Sequence, residues 1–386
     1  MVSLETLVRP GTRVALADGC GTPMSLHAPL VRAATGKDVQ LVLGWMPGRA
    51  PDLDPAAFAD IRVVMGGPGV RRMIESGAAQ FVPCRLSAVP NLLAGPLRPN
   101  LLVATLVRGP DGLHLGAEAG YLRGLVDSGV PVAATVSCAT PLAEVGPPIP
   151  REQVTIVGET ADPPIDIPDA TPTEVDEAIA RHVAALVPEG ARIQIGPGRL
   201  AQAMVAALEV PVRIDSGLLP EPVVDLDAKG LLIGEPVAAY LCGTRRLYEW
   251  ADGRRILHPV EFTHDIGRLA ARGAPPLIAL NAALEIDLDG QVNVEGVGRA
   301  AAGMIGGHPD FAAAGARGTG LSVIALPSLV KGVPTLVERL SRPVTTASHD
   351  VEVVVTDRGI ADLRGLGRGE RRRALRELWG VTSRRG

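Results

Sequence analysis

The feature that most constrains the fold of this chain is a recurring pair: a short valine-rich apolar run followed by a stretch of helical character. The runs are TRVALA (12–17), VQLVLG (39–44), IRVVM (61–65), LLVATLV (101–107), PVAATV (131–136) and QVTIV (153–157), bounded by Gly, Pro or Asp. They do not alternate apolar with polar residues, as a strand with one wet face would. Continuous apolar runs of this length fit strands covered on both faces. Helix-like segments at 22–34, 69–77 and 118–128 separate them. That alternation predicts an α/β fold with an open, mostly parallel sheet and helices on both sides.

The stretch 159–173, ETADPPIDIPDATPT, breaks the pattern with Pro and Asp and reads as a linker. It predicts a first domain over 1–165 and a second over 172–386. A helix start follows directly, with Thr171 as N-cap, Pro172 at the first helical position and Glu174 closing a capping box. Val175, Ile179, Val183 and Leu186 then share one helical face. His182, one position away from that face, reads more simply as a half-exposed helix histidine than as a catalytic one. The two halves open alike: RPGTRVALADGCGTPM (9–24) and PEGARIQIGPGRLAQAM (188–204) both run Gly, Arg, apolar strand, Gly-rich turn, helix. Gly11 matches Gly190, Arg13 matches Arg192, Val14 matches Ile193 and Leu16 matches Ile195, as expected of a duplicated domain. Further strands are expected near 276–280, 322–326 and 351–356.

Composition narrows the function classes. With a length of 386 residues there is ample material for a large core, and aromatics make up only 3%, so that core is built from Ala, Val, Leu and Ile. Few aromatics and a net charge of −4 argue against a base-stacking or phosphate-attracting surface, so no nucleic acid is expected. Of the 38 basic residues all but Lys37, Lys229 and Lys331 are arginine, which leaves few candidates for a Schiff base. Cys20, Cys84, Cys138 and Cys242 are far apart and form no CxxC pair, as expected of reduced thiols in a cytoplasmic protein. Neither a signal peptide nor an apolar run of membrane-helix length is evident. The chain has no GxxxxGK[ST] loop, no HExxH, no paired-cysteine zinc pattern and no GxSxG elbow. No metal is expected. GPG at 196–198 joins a strand to a helix and points backbone N–H groups at an anion or oxyanion, with Gly196 and Gly198 as its donors.

Denser motifs lie in the second half: GTRRLY (243–248), LNAALEIDLDGQVN (280–293), GMIGGHPDF (303–311), VIALPS (323–328), VTTASHDVEVVVTDRGIADLRG (344–365) and ERRRAL (370–375). With AAQFVPCRLSAVPNLL (78–93) and EAIARHVAALVPEGARIQIGPGRL (177–200), in this order and spacing, they resemble the acetyl-CoA hydrolase/transferase family, which includes the acetate- and 4-hydroxybutyrate-type CoA-transferases. The similarity runs from about residue 10 to about residue 376. It implies two similar open α/β domains. It also implies an acyl-CoA as substrate, with a small carboxylate or water as acceptor and no permanently bound cofactor. The family's nucleophile is a glutamate, which carries first the acyl group and then CoA.

Here the chain departs from the resemblance. In VPVRIDSGLLPEPVVDL (210–226), aligned on VVDL, Ser216 matches the family's small hydroxyl residue and Gly217 falls where the glutamate is expected. His264, in VEFTHD, stands where an asparagine is usual, and Met304 replaces the first glycine before Gly306 and Gly307. Glu221 is a candidate displaced nucleophile, with a solvated loop carboxylate as its plainer reading; Asp215 flanks Ser216 but reaches less far. His264 is a candidate general base for water, or a structural histidine, and Ser216 a conceivable nucleophile beside it. Gly306 and Gly307 join the oxyanion donors. Asn281 and Gln291 are expected to hold CoA or the loop, and Arg245 and Arg246 to meet CoA phosphates. Glu285 and Asp287 lie two apart on a strand, either as an acid/base pair or as strand-end carboxylates. Asp310 is read as a cap, Asp357 as an ordering residue of the second domain, and Cys20 and Cys242 as buried small residues. The reading is a CoA-thioester enzyme in the cytoplasm, a homo-oligomer. Its alternatives are a non-catalytic CoA-binding homologue and a subunit of a hetero-oligomer whose partner supplies the glutamate.

Overall fold

The structure, a computed structural model, describes residues 2–298, 300–301 and 303–381. The chain divides into two compact units: the described residues of Met1–Pro168 with Val237–Thr263, and those of Asp169–Pro236 with His264–Gly386. The first division falls inside the expected 165–172 gap. The return of 237–263 to the first unit is a difference from the single boundary expected. Backbone bonds hold it there: Ala119 N to Ala239 O (3.0 Å), Leu241 N to Ala117 O (3.0 Å) and Val145 N to Leu257 O (2.9 Å).

In the first unit the sheet path runs Gln80–Phe81, Asp60–Val63, Gln40–Leu43, Arg13–Leu16, Leu101–Arg108, Val132–Ser137, Val154–Thr160. All these neighbours are parallel, and Leu113–Leu115 hangs antiparallel on Leu101–Arg108. Leu101–Val107 are buried without a break, which is why the strand reads as a continuous apolar run. Leu16, Leu41, Leu43 and Val103 pack with Leu30 and Ala33 of the helix His27–Ala34. Each fully buried side chain of this size contributes on the order of 1.5–3 kcal/mol.

The second unit repeats the plan. Its sheet runs Arg213–Ile214, Arg192–Ile195, Leu277–Ala282, Leu321–Ala325, Val353–Thr356, Gly359–Asp362, parallel except for the last pair. The expected duplication is visible in the backbone. Arg13–Leu16 and Arg192–Ile195 are both interior strands of their sheets. Before each, a glycine with positive φ (Gly11 +75°, Gly190 +77°) donates its N–H to a carbonyl, Lys37 O and Pro211 O respectively. A side chain would strain that left-handed turn, so glycine recurs at both places.

The capping box is displaced by two residues from the expected one. The helix is Glu174–Ala184 with Thr173 as N-cap, and Asp176, not Glu174, returns the bond: Asp176 N to Thr173 Oγ1 at 3.2 Å, Thr173 N to Asp176 Oδ2 at 2.8 Å. The same oxygen accepts from Arg199 Nε at 2.6 Å, which favours this register. Of the expected apolar face, Ile179 and Val183 are buried while Val175 is exposed. The linker also starts later than expected, because the strand Val154–Thr160 continues into it. Among the described residues, no helix is long and apolar enough to cross a membrane and no cluster of His, Cys, Asp and Glu could hold a metal ion.

Candidate active site

Three turns of the second unit meet at the carboxyl ends of neighbouring parallel strands, the usual place for ligands in open α/β sheets. Gly196–Gly198 follows Arg192–Ile195, and Asp215–Gly217 follows Arg213–Ile214. The third, ending at Gly307, leads into the helix His308–Arg317. Ser216 ties the first two together. Its hydroxyl donates to Ile195 O at 3.0 Å and accepts from Ile195 N at 3.1 Å and Leu218 N at 3.4 Å. The buried hydroxyl is thus occupied as a turn brace, a placement unlike that of the nucleophile considered from sequence.

His264 fills the space beside Gly217. A methyl group built on Gly217 would lie 2.9 Å from both Cε1 and Nε2 of the imidazole and 3.4 Å from Cε2 of Phe311. The backbone of Gly217 has no positive φ, so steric room alone excludes a side chain. Gly307 adjoins the same Nε2 edge of the ring, where an added methyl would meet Nε2 of His264, its Cδ2 at 2.7 Å and Phe311 Cε2 at 3.2 Å. The Phe311 ring completes the seat, with centroids 4.8 Å apart and planes tilted by 59°. Enclosed in this way, His264 is 1% exposed. Burial, with the Arg268 guanidinium adding to it, pushes its pKa from 6.5 to about 3, so the imidazole is neutral at physiological pH.

Residues 243–379 match the family model of the acetyl-CoA hydrolase/transferase C-terminal domain. The chain is 31% identical over 332 residues to the succinyl-CoA:cyclohexane-1-carboxylate CoA transferase of Geobacter metallireducens, covering 76% of this chain and 71% of that one. It belongs to the acetyl-CoA hydrolase/transferase family. The 4-hydroxybutyrate coenzyme A transferase of Clostridium kluyveri is 26% identical over 395 residues, 94% of this chain and 90% of its own. Among solved structures, RipA from Yersinia pestis superposes with a TM-score of 0.86 at 25% identity, over 98% of this chain and 93% of that one.

The other residues that the family resemblance singles out have the following places. Glu221 is half-buried at the start of the helix Pro222–Ala228, beyond the strand Leu218–Pro220. Asn281 is buried on Leu277–Ala282, and its Nδ2 donates to His308 O at 3.5 Å. Gly196 and Gly198 face open space, whereas Gly307 is pressed against His264; Gly306 precedes it in the same turn. Arg245 and Arg246 are exposed on the helix Arg245–Ala251, in the first unit and so in a different unit from His264; Arg245 pairs with Glu249 at 2.5 Å.

Several candidates have structural partners. Glu285 accepts from Asn293 Nδ2 (2.8 Å) and from Ser341 N and Oγ (2.9 Å each). Asp287 accepts from the backbone of Asp289 and Gln291 and from Gln291 Nε2. The two carboxylates therefore order separate loops and do not act as a pair. Asp357 holds Ser328 N (2.6 Å) and Oγ (3.0 Å), an ordering role. Asp310 is buried in the first turn of its helix, where negative charge suits the dipole, rather than at the cap. His182 shares a hydrogen bond with Thr356 O at 2.9 Å, and Cys20 and Cys242 are buried free thiols.

The sequence reading passes over two residues beside the site. His308, next to Gly307, shares a 2.7 Å hydrogen bond with Thr346 Oγ1, and burial lowers its pKa to about 4. Its signal was a histidine after a double glycine at a helix start. Arg268, which grips Asp215, had no signal among so many arginines.

Proposed function

We propose that this chain is an acyl-CoA thioester enzyme that delivers the acyl group to water rather than through a protein carboxylate. The observation that carries this reading is the imidazole of His264 in the room that a side chain at position 217 would need. Where the family resemblance expects a glutamate there is no side chain, and the vacated space is filled. In the proposed reaction a water oxygen adds to the thioester carbonyl carbon, the C–S bond breaks, and the leaving thiolate takes up a proton, giving a free acid and CoA. Backbone N–H groups of Gly196, Gly198, Gly306 and Gly307 are assigned to the developing oxyanion. A neutral imidazole accepts through one ring nitrogen and donates through the other. Its low basicity suits it to orient water by a hydrogen bond more than to take the proton outright. Asn281 is assigned to CoA, which is a substrate and not a resident cofactor. A cytoplasmic homo-oligomer is the expected setting.

A second reading is a CoA-transferase in which Glu221 replaces the missing carboxylate, favoured by its half-buried position four residues after Gly217. Free-thiol release from acetyl-, propanoyl- and butyryl-CoA, with and without acetate or succinate, separates the two. Under the water reading, release needs no carboxylate, borohydride with acyl-CoA does not inactivate, and His264→Gln lowers the rate by about 100-fold or more. Release that requires a carboxylate, with borohydride inactivation that Glu221→Gln abolishes, would overturn it. Binding of acyl-CoA without turnover for any acceptor would mark a non-catalytic homologue.

A further inference from the structure

Arg268 comes from the short helix Ile266–Leu269, whose N-cap Asp265 accepts from the N–H groups of Gly267 and Arg268. Its guanidinium takes both oxygens of Asp215: Nη1 to Oδ2 at 2.9 Å and Nη2 to Oδ1 at 2.7 Å. Arg192 reaches the same carboxylate through Nη1 at 3.0 Å, and its Nη2 and Nε donate to Leu269 O and Pro275 O. The Asp215 side chain is 6% exposed and that of Arg192 is 11% exposed. Two guanidinium groups on one carboxylate leave a surplus positive charge; the Arg268 side chain is 23% exposed, so water screens it only in part.

That charge touches both halves of the Gly217–His264 contact. Asp215 is two residues before Gly217, so a two-pronged grip on it sets the turn that brings Gly217 against the ring. His264 is four residues before Arg268, and the guanidinium adds to burial in disfavouring a proton on it. Charged or titratable groups on the neighbouring elements include Glu261, three residues before His264 in sequence, Asp265, Asp215 with Arg192 behind it, and His308 and Asp310 at the start of the helix packed on the ring. We propose that Arg268 is a positioning residue of this site, holding the Asp215–Gly217 turn against His264 and presenting a positive charge to the imidazole. The proposal rests on the reading of His264 as the group that meets the attacking water.

The test compares Arg268→Gln, which removes the charge, with Arg268→Lys, which keeps it but loses the fork. Nitrogen-15 spectra of the His264 ring, assigned by their loss in His264→Gln, are followed from pH 8 to pH 4.5 on the full chain. In Arg268→Gln the imidazolium fraction at pH 4.5 should rise about tenfold over wild type, equivalent to one pH unit. The acid limb of thiol release should move up by the same amount. Arg268→Lys should keep the wild-type titration. If both variants keep the wild-type titration, or both lose activity equally at every pH, Arg268 is merely structural and the proposal is overturned. Should Arg268→Gln fail to fold, Arg268→Met, which also removes the charge, keeps much of the side-chain volume and leaves Asp215 paired with Arg192, is read the same way. The spectra need no turnover, so an inactive wild type would sink the water reading while leaving this proposal to be decided.

Discussion

Replacing Gly217 with alanine adds one methyl group where the structure has no room for it. The new carbon would sit 2.9 Å from two ring atoms of His264, well inside van der Waals contact. Relief by a shift of the ring is limited, because Gly307 and Phe311 also crowd the Nε2 edge and His264 is fully buried. Overpacking of this kind costs about 1–3 kcal/mol. Backbone strain does not enter, since Gly217 lacks a positive φ. The same substitution in a His264→Ala background should therefore cost nothing, and can gain about 0.4–1 kcal/mol from a stiffer unfolded chain. The two changes should thus be coupled by about 2 kcal/mol, far above the roughly 0.3–0.5 kcal/mol scatter of independent sites. The assay is urea unfolding read by Trp379, the tryptophan of the second unit, after Trp45 and Trp250 are changed to Phe. Trp379 is buried and its Nε1 donates to Ser328 O at 2.9 Å, so its emission reports loss of this unit. With a slope of about 2 kcal/mol per molar urea, the coupling amounts to a midpoint difference of about 1 M. Additive effects, within about 0.5 kcal/mol, would refute the claim that His264 occupies the space at 217.

Two further outcomes are expected. In the first unit Asp18 is fully buried; burial raises its pKa from 3.8 to about 7, although Trp45 N donates to it at 2.9 Å and Tyr240 OH at 3.2 Å. The folded state thus holds a proton that the unfolded chain releases near pH 4; this stabilisation, about 4 kcal/mol, is complete below pH 4 and lost as pH rises through 7. Melting of wild type against Asp18→Asn from pH 5 to pH 8.5 should show wild type losing ground as pH rises, and a pH-independent difference would contradict the burial argument. Thr173→Ala should destabilise the second unit by about 1 kcal/mol in the Trp379 assay, while Thr171→Ala should leave it within about 0.5 kcal/mol.

Most of the sheet is legible because its strands are buried and largely apolar. Leu101–Val107 and Val132–Ser137 are buried throughout, and apart from Thr105, Thr135 and the terminal Ser137 their residues are apolar, so the runs stand out in the sequence. Arg213–Ile214 escaped notice because two residues have no period to detect. The helix start was misplaced by two positions because TPT offers two threonines, and only the approach of Arg199 to Asp176 selects Thr173. At the site, Gly217 and His264 each stood out as departures from the family pattern. That one occupies the room of the other is a relation across 47 residues of chain, and no spacing rule expresses it. Ser216 looked like a free hydroxyl because its partner, the backbone of Ile195, leaves no trace in side-chain identity.

The return of residues 237–263 to the first unit bears on how the protein can be dismantled. The polypeptide passes between its two units three times, at 168/169, 236/237 and 263/264. A single cut in the proline-rich stretch therefore frees neither: the amino-terminal piece would lack Tyr240, Leu241 and Leu257 from its core, and the carboxyl-terminal piece would carry them with nothing to cover them. The duplicated halves, alike as their sheets are, are not interchangeable cassettes. The first is completed only by a segment encoded inside the second, and the second is interrupted by that segment.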